Sequence, residues 1–271
     1  MRGKGGALIA LLLLPALIGC AGEGVLATAG LTADDVPKPD GAAAAYPAAA
    51  EGEAKVAQDG FNPFAEKSAG PPGGREVIAK PTREEILLTG TLPDMAYGRS
   101  DAPVTIVEYA SLTCPYCRRF HKETFPKLKR DYIDTGKVRF ILREFPIGKT
   151  SGAATIALRC AKPEKYLELY GKFLEHQGAW VSQEVRLDPI YSVAAQVGMT
   201  RPQFDACREN QAMIDALKWV KERGRTLGII GTPNFFVEGT LVKKVLTMED
   251  IRAMVEPLIK ARAVAGPGAP R

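Results

Sequence analysis

The chain has 271 residues, 46% of them hydrophobic and 25% charged, which suffices for one large domain or two small ones and argues against a wholly disordered protein. Its net charge of +5 is mild, and the 36 Lys and Arg are scattered rather than blocked. That pattern reads as a solvated basic surface and speaks against a nucleic-acid site.

Taken in chain order, the first element is a targeting segment. Arg2 and Lys4 precede the apolar run ALIALLLLPALIG, residues 7–19, the charged and apolar parts of an export signal. The run is too short for a bilayer core, which needs roughly 20 residues. It ends in Leu17-Ile18-Gly19-Cys20, which looks like a bacterial lipobox, so residues 1–19 read as a signal peptide and Cys20 as the lipidated residue. Ordinary cleavage after Ala29, in Ala27-Thr28-Ala29, is the alternative. Either reading puts the mature chain in the periplasm or cell envelope, where disulfides persist. Lipidation would add membrane contact through the anchor.

Residues 21–80 hold 31 Ala, Gly or Pro and three aromatics, too little apolar surface to offset the entropy of ordering. Residues 20–83 therefore read as a disordered tether with an r.m.s. span of about 45 Å.

The texture changes near Glu84. PVTIVEYA, residues 103–110, reads as a buried strand. The segment that follows, CRRFHKETFPKLKRDYIDTG, places Phe120, Phe125, Leu128 and Ile133 at roughly helical spacing, with a kink expected at Pro126. VRFILREFP, residues 138–146, is a second strand. The result is a strand–helix–strand unit with a CxxC at its first turn. Residues 151–228 read as helical, with breaks near Pro163, Gly178, Gly198 and Pro202. TPNFFVEGTLVKK then gives two short strands joined at Glu238-Gly239. A last helix starts near Thr247, capped by Thr247 and Asp250, and residues 263–271 form a disordered tail.

The CxxC is Cys114-Pro115-Tyr116-Cys117. Haem attachment needs a histidine after the second cysteine, where Arg118 stands. A tetrahedral zinc site needs four ligands, and the only other candidates are Cys160, Cys207, His121 and His176. A structural disulfide across two residues would constrain the unfolded chain little. Redox chemistry fits the placement: at a helix N-terminus Cys114 meets free backbone N–H groups and the positive end of the helix dipole, both favouring thiolate. Arg118, Arg119 and Lys122 are candidates to add to that field. Cys117, one turn in, is expected buried and poorly ionised, suited to resolve a mixed disulfide.

EYASLTCPYCRRFHKETFP, then REFP, a helical block and GTPNFFVEG, resembles the DsbA-like branch of thioredoxin-fold thiol-disulfide oxidoreductases over about residues 95–262. The resemblance implies an α/β thioredoxin fold spanning 84–262, with an inserted α-helical domain at about 151–228 after the second strand. It implies that Cys114 is the nucleophile and Cys117 the resolving cysteine. Thr232-Pro233 matches the cis-proline loop that faces the cysteines and pairs with substrate backbone. Glu108 matches a buried acid beneath the dithiol; burial would raise its pKa and suit it to exchange a proton with Cys117. The strand residue simply pointing outward is the alternative. Cys160 and Cys207, left over in an oxidising compartment, are expected to pair as a structural disulfide, with two separate buried thiols as the alternative. His121 reads as a surface histidine, and His176 and Trp180 as packing in the helical block.

The implied function is oxidation of substrate dithiols in exported proteins through a Cys114–Cys117 disulfide. No metal or organic cofactor is called for. The implied electron acceptor is a membrane quinone-linked partner of the DsbB type, and the catalytic domain is expected to be a monomer. Tyr116, where strong oxidants carry histidine, supplies no cation and keeps an envelope disulfide isomerase or reductase open. A redox-independent chaperone or metal-binding module is the third reading.

Overall fold

The computed structural model describes residues 77–265, and side chains through residue 264. The signal peptide, Cys20, the tether up to residue 76 and the end of the tail lie outside the described residues.

Two strands rich in Val, Ile, Leu and Phe form the centre, and their polar members Glu108, Arg143 and Glu144 are buried with them. β2, Val104–Ala110, is buried at every position, and β3, Val138–Glu144, at all but one. They pair in parallel, Ile106 opposite Phe140 and Glu108 opposite Leu142. Parallel strands need a long crossover. Here it comprises α2, Pro115–Glu123, α3, Phe125–Leu128, and a π-helical turn, Lys129–Ile133. The expected kink at Pro126 becomes a break at Thr124 instead. Pro126 then occupies the first turn of α3, where its missing N–H costs nothing.

The sheet has five strands in the order β1-β3-β2-β4-β5. β1, Met95–Tyr97, runs antiparallel to β3; β4, Asn234–Val237, pairs antiparallel with β2, and β5, Thr240–Val242, with β4. The β4–β5 hairpin turns at Glu238-Gly239, both with positive φ. The Glu238 carboxylate meets the Arg262 guanidinium at 2.9 Å, which ties the turn to the last helix.

Side chains alternate across β2. Ile106 and Ala110 face a core with Cys117, Phe120, Phe140 and Phe235, while Val107 and Tyr109 face a second core with Ile141, Phe145 and Phe236. Phe120 anchors α2 to the sheet, its ring 4.8 Å from that of Phe235. Burying such a ring contributes about 3 kcal/mol.

Between β3 and β4 lies the helical insert: α4, Gly148–Arg159; α5, Pro163–Glu175; α6, Gln177–Trp180; α7, Leu187–Ala194; α8, Arg201–Arg208; and α9, Gln211–Thr226. It begins three residues earlier than the sequence reading placed it, because Gly148 takes a positive φ that starts α4 directly after Ile147. Arg159 and Glu144 form a buried ion pair, and the Tyr166 hydroxyl donates to Glu144 at 2.6 Å, so α4 and α5 are fastened to the end of β3.

Residues 77–83, assigned to the tether from sequence, join the fold: the Ile78 N–H donates to the Thr226 carbonyl at 2.9 Å. Thr82 caps α1, Arg83–Leu87, with a reciprocal bond to Glu85. The last helix, α10, runs Met248–Ala265, three residues into the segment read as tail, with Thr247 and Asp250 closing its cap. Among the described residues no helix is long and apolar enough to cross a membrane.

Candidate active site

Where β2 ends, Ser111 is buried, and its hydroxyl lies 2.9 Å from that of Ser151 on α4. The chain then turns, the Cys114 N–H donating to the Ser111 carbonyl at 3.1 Å. Cys114 is the N-cap of α2 and Pro115 its first residue. The turn thus puts one sulfur at the positive end of the helix, half-buried, and the other one turn in, fully buried. Both are free thiols in this structure.

The two sulfurs differ sharply. The Cys114 thiol is lowered to about 5, first by its hydrogen bond with Cys117; partial burial opposes this, and Thr232 with the backbone N–H groups of Cys117 and Tyr116 adds to it. Burial pushes the Cys117 thiol well up, and its neighbours Cys114 and Glu108 push it further. The lowering comes from the neighbouring thiol, Thr232 and the backbone, and Arg119 lies over the Tyr116 ring at 5.5 Å.

Across the site, the Thr232–Pro233 peptide is cis. The Thr232 carbonyl accepts the Cys114 S–H at 3.1 Å. The Thr232 hydroxyl is buried with no hydrogen-bond partner among the described residues. It is therefore free to turn to the sulfur once the thiol ionises and its proton leaves the carbonyl.

Glu108 lies on the Ile106–Ala110 face of β2, 2% exposed, so it does not point outward. Burial raises its carboxyl well above the ordinary range, and the Cys114 thiolate raises it further. Its Oε1 has no hydrogen-bond partner among the described residues, nor does the hydroxyl of the buried Tyr170. The structure brings Cys114, Cys117, Thr232, Pro233 and Glu108 into one place. Pro115 and Tyr116 stand at its outer rim, Tyr116 56% exposed.

His121 departs from the surface reading. It is half-buried between α2 and α5, stacked on Phe125 at 5.2 Å and edge-on to Tyr170 at 5.2 Å. Helical spacing alone does not tell a histidine facing solvent from one facing the inserted helices. Trp180 is buried in the insert, its indole N–H donating to the Phe173 carbonyl. Cys160 and Cys207 are joined as a disulfide away from this site, linking the end of α4 to α8.

Sequence reasoning missed Tyr170 and Gln177. Gln177 donates to the carbonyls of Leu112 and Cys114 from within the insert. A glutamine beside a helix break carries no motif that marks it.

A family model described as thioredoxin matches residues 91–257, more than half of the chain. A Rickettsia bellii relative, provisionally named a protein-disulfide oxidoreductase, is 28% identical over 62% of this chain and 65% of its own length. A Rickettsia typhi relative of similar name is 30% identical over 54% of this chain and 55% of its own. The match thus spans less than two thirds of those relatives. Disulfide bond formation protein D of Bacillus subtilis is 25% identical over 61% of this chain and 77% of its own length. Among solved structures, Wolbachia pipientis alpha-DsbA1 superposes with a TM-score of 0.61 at 26% identity, covering 67% of this chain and 98% of that one.

Proposed function

The chain belongs to the thioredoxin family whose model matches it, and we propose that it is an exported thiol-disulfide oxidoreductase that introduces disulfides into other exported proteins through Cys114 and Cys117. The observation that carries this reading is the contrast between the two sulfurs: one half-exposed at a helix N-terminus and held at about 5, the other buried and held as a thiol.

In the oxidised enzyme a substrate thiolate attacks Cys114 Sγ. The S–S bond breaks, and its electron pair leaves with Cys117 Sγ, which takes up a proton. Glu108, whose carboxyl burial pushes well above the ordinary range, is placed to exchange that proton. The substrate's second thiolate then attacks its own sulfur in the mixed disulfide and expels Cys114 as a thiolate. A thiol of low pKa leaves readily, so the substrate departs oxidised and the enzyme reduced by two electrons. The cis-proline loop, with Thr232 3.1 Å from Cys114, is positioned to hold substrate backbone beside the sulfur.

Reoxidation requires an acceptor for two electrons, and a membrane quinone-linked protein of the DsbB type fits the family. Tyr116 in the first turn of α2, and Ile147 and Ile230 on the loops bordering the site, are exposed apolar side chains, Ile230 82% exposed, and suit unfolded apolar segments of exported chains. A signal peptide ending at Cys20 would deliver the protein to the envelope and anchor it there.

Tyr116 favours a second reading, an envelope disulfide isomerase or reductase, because it adds no cation to the thiolate's surroundings. The reduction potential of Cys114–Cys117, measured in glutathione buffers, separates the two. Active-site thiols near 7 go with potentials of about −270 mV and those near 3.5 with about −120 mV. A thiol at about 5 should fall between about −120 and −200 mV, the range in which the protein donates disulfides. A value below about −200 mV would overturn the oxidase reading in favour of the isomerase or reductase.

A further inference from the structure

Gln177 is a buried polar side chain, 6% exposed, that the thiol chemistry leaves without a task. It sits at the start of α6, and its Nε2 donates to the Leu112 carbonyl at 2.7 Å and the Cys114 carbonyl at 3.1 Å. A glutamine amide nitrogen carries two N–H donors, so both are committed to the turn between β2 and α2.

The turn has reason to need them. An N-cap is ordinarily closed by a Ser, Thr, Asp or Asn side chain accepting from the first turn. Here the N-cap is Cys114, at φ −78° and ψ 120°, with no side-chain cap hydrogen bond. The Cys114 carbonyl already accepts the Arg118 N–H at 3.2 Å, and Gln177 adds a second donor to the same oxygen. With the carbonyls on both sides of Thr113 held, the backbone torsions of Cys114 are held too. Those torsions decide whether the N–H groups of Tyr116 and Cys117 point at Sγ, and both N–H groups favour the thiolate. The amide also places partial positive charge behind the turn, where it offsets carbonyl dipoles that would oppose a negative sulfur.

We propose that Gln177 is a positioning residue that sets the ionisation of Cys114 from within the helical insert. α6 is firmly mounted for this. The Trp180 indole donates to the Phe173 carbonyl at 2.7 Å, and the two rings meet edge-on at 5.3 Å, fastening α6 to α5. The insert thereby reaches the sulfur through one side chain, and displacing α6 shifts Cys114 toward the thiol. This rests on the reading of Cys114 as the acid-shifted sulfur.

The test uses the full-length reduced protein. Thiolate ultraviolet absorbance is titrated against pH, iodoacetamide labelling is mapped to Cys114, and urea unfolding is followed in parallel. Gln177→Met keeps length and bulk and removes both donors. Its Cys114 midpoint should rise by on the order of one pH unit. Labelling at the parent's midpoint should slow about fivefold, as the thiolate fraction falls from one half to near a tenth. The ionisable neighbours Cys117, Glu108, Tyr170 and Arg119 are unchanged in this variant. If Gln177→Met does not fold, Gln177→Asn, one methylene shorter and unable to span both carbonyls, is expected to give a rise of the same sign. A folded variant that loses stability but titrates like the parent assigns Gln177 a structural role alone and overturns the inference. A parent in which Cys114 has an ordinary thiol midpoint overturns the inference together with the reading beneath it.

Discussion

The Cys114 sulfur lies 3.1 Å from the carbonyl oxygen of Thr232, across 118 residues of sequence. In the thiol state this is a hydrogen bond with sulfur as donor. In the thiolate state it cannot be, because two negative atoms would face each other. Ionisation therefore transfers support to the Cys117 thiol, the Thr232 hydroxyl and the first N–H groups of α2. It also frees a carbonyl at the mouth of the site, in the loop that leads into β4. One proton thus governs both the reactivity of the sulfur and the availability of a backbone acceptor.

The first consequence is a reactivity profile. Alkylation of the reduced protein should be half-maximal near pH 5, with the label on Cys114, while Cys117 reacts far more slowly throughout. The unfolded protein should show the ordinary thiol profile, about 8.5 for both. A native rate that keeps climbing through pH 8, or a label found on Cys117, would remove the basis of the proposed chemistry.

Glu108 makes a prediction of opposite sign about stability. Its folded pKa is raised, so between the unfolded carboxyl value, about 4.3, and the folded one the native state holds more protons than the unfolded state. Stability then falls as pH rises through that window, at about 1.4 kcal/mol for each unit of elevation. Glu108→Gln removes the titration and should make the protein more stable at pH 7 than the parent. It should also slow formation of the mixed disulfide, the step in which Cys117 leaves and takes up a proton. Urea midpoints of both proteins at pH 4 and pH 7 decide the matter. Equal differences at the two pH values would mean that Glu108 is ionised or solvated in the fold.

The parts legible in the sequence share one cause, which is that their signal is local. β2 and β3 place apolar side chains on both faces, Ile106, Phe140 and Leu142 on one and Val107 and Ile141 on the other, because both faces of the sheet are covered, and the cysteine spacing together with Pro115 marks the N-terminus of α2. Thr247 and Asp250 announce their helix by the capping pattern alone. The fold and the pairing of Thr232-Pro233 with the cysteines came through resemblance rather than pattern. What was not legible depends on partners distant in the chain. β1 is three residues, too short for an alternation to register, and exists because Ala96 pairs with Ile141. Arg143 looks misplaced in a buried strand until Asp94, 49 residues earlier, meets it with two bonds of 2.8 Å. Gln177 and Tyr170 gain meaning only when the insert folds back over α2.

The Cys160–Cys207 disulfide closes a loop of 47 residues between α4 and α8. It lies in a core with Ile156, Met213 and Leu217, separate from the dithiol. On the chain-entropy model such a loop contributes about 4 kcal/mol. Replacing both cysteines by serine should lower the melting temperature by about 8–16 °C, at 2–4 °C per kcal/mol for a domain of this size. Labelling of Cys114 should keep its acid midpoint. A melting temperature unchanged by the double substitution would show that the helices hold the insert without the bond.

His121 carries the last prediction, and its sign again follows from proton counting. Burial against Phe125, Tyr170 and the Gly171 backbone lowers its pKa to about 4. In the unfolded chain it titrates near 6.5. Between those values the unfolded state binds the proton and the native state does not, so stability is complete above pH 6.5 and is lost progressively as pH falls toward 4. The loss from this one group is at most about 3 kcal/mol. His121→Phe keeps the aromatic stacking and carries no proton. It should unfold with a flatter acid limb than the parent while matching it at pH 8, where both rings are neutral. If the two proteins lose stability in parallel from pH 6.5 downward, the acid sensitivity belongs to the carboxylates and His121 is already protonated in the fold.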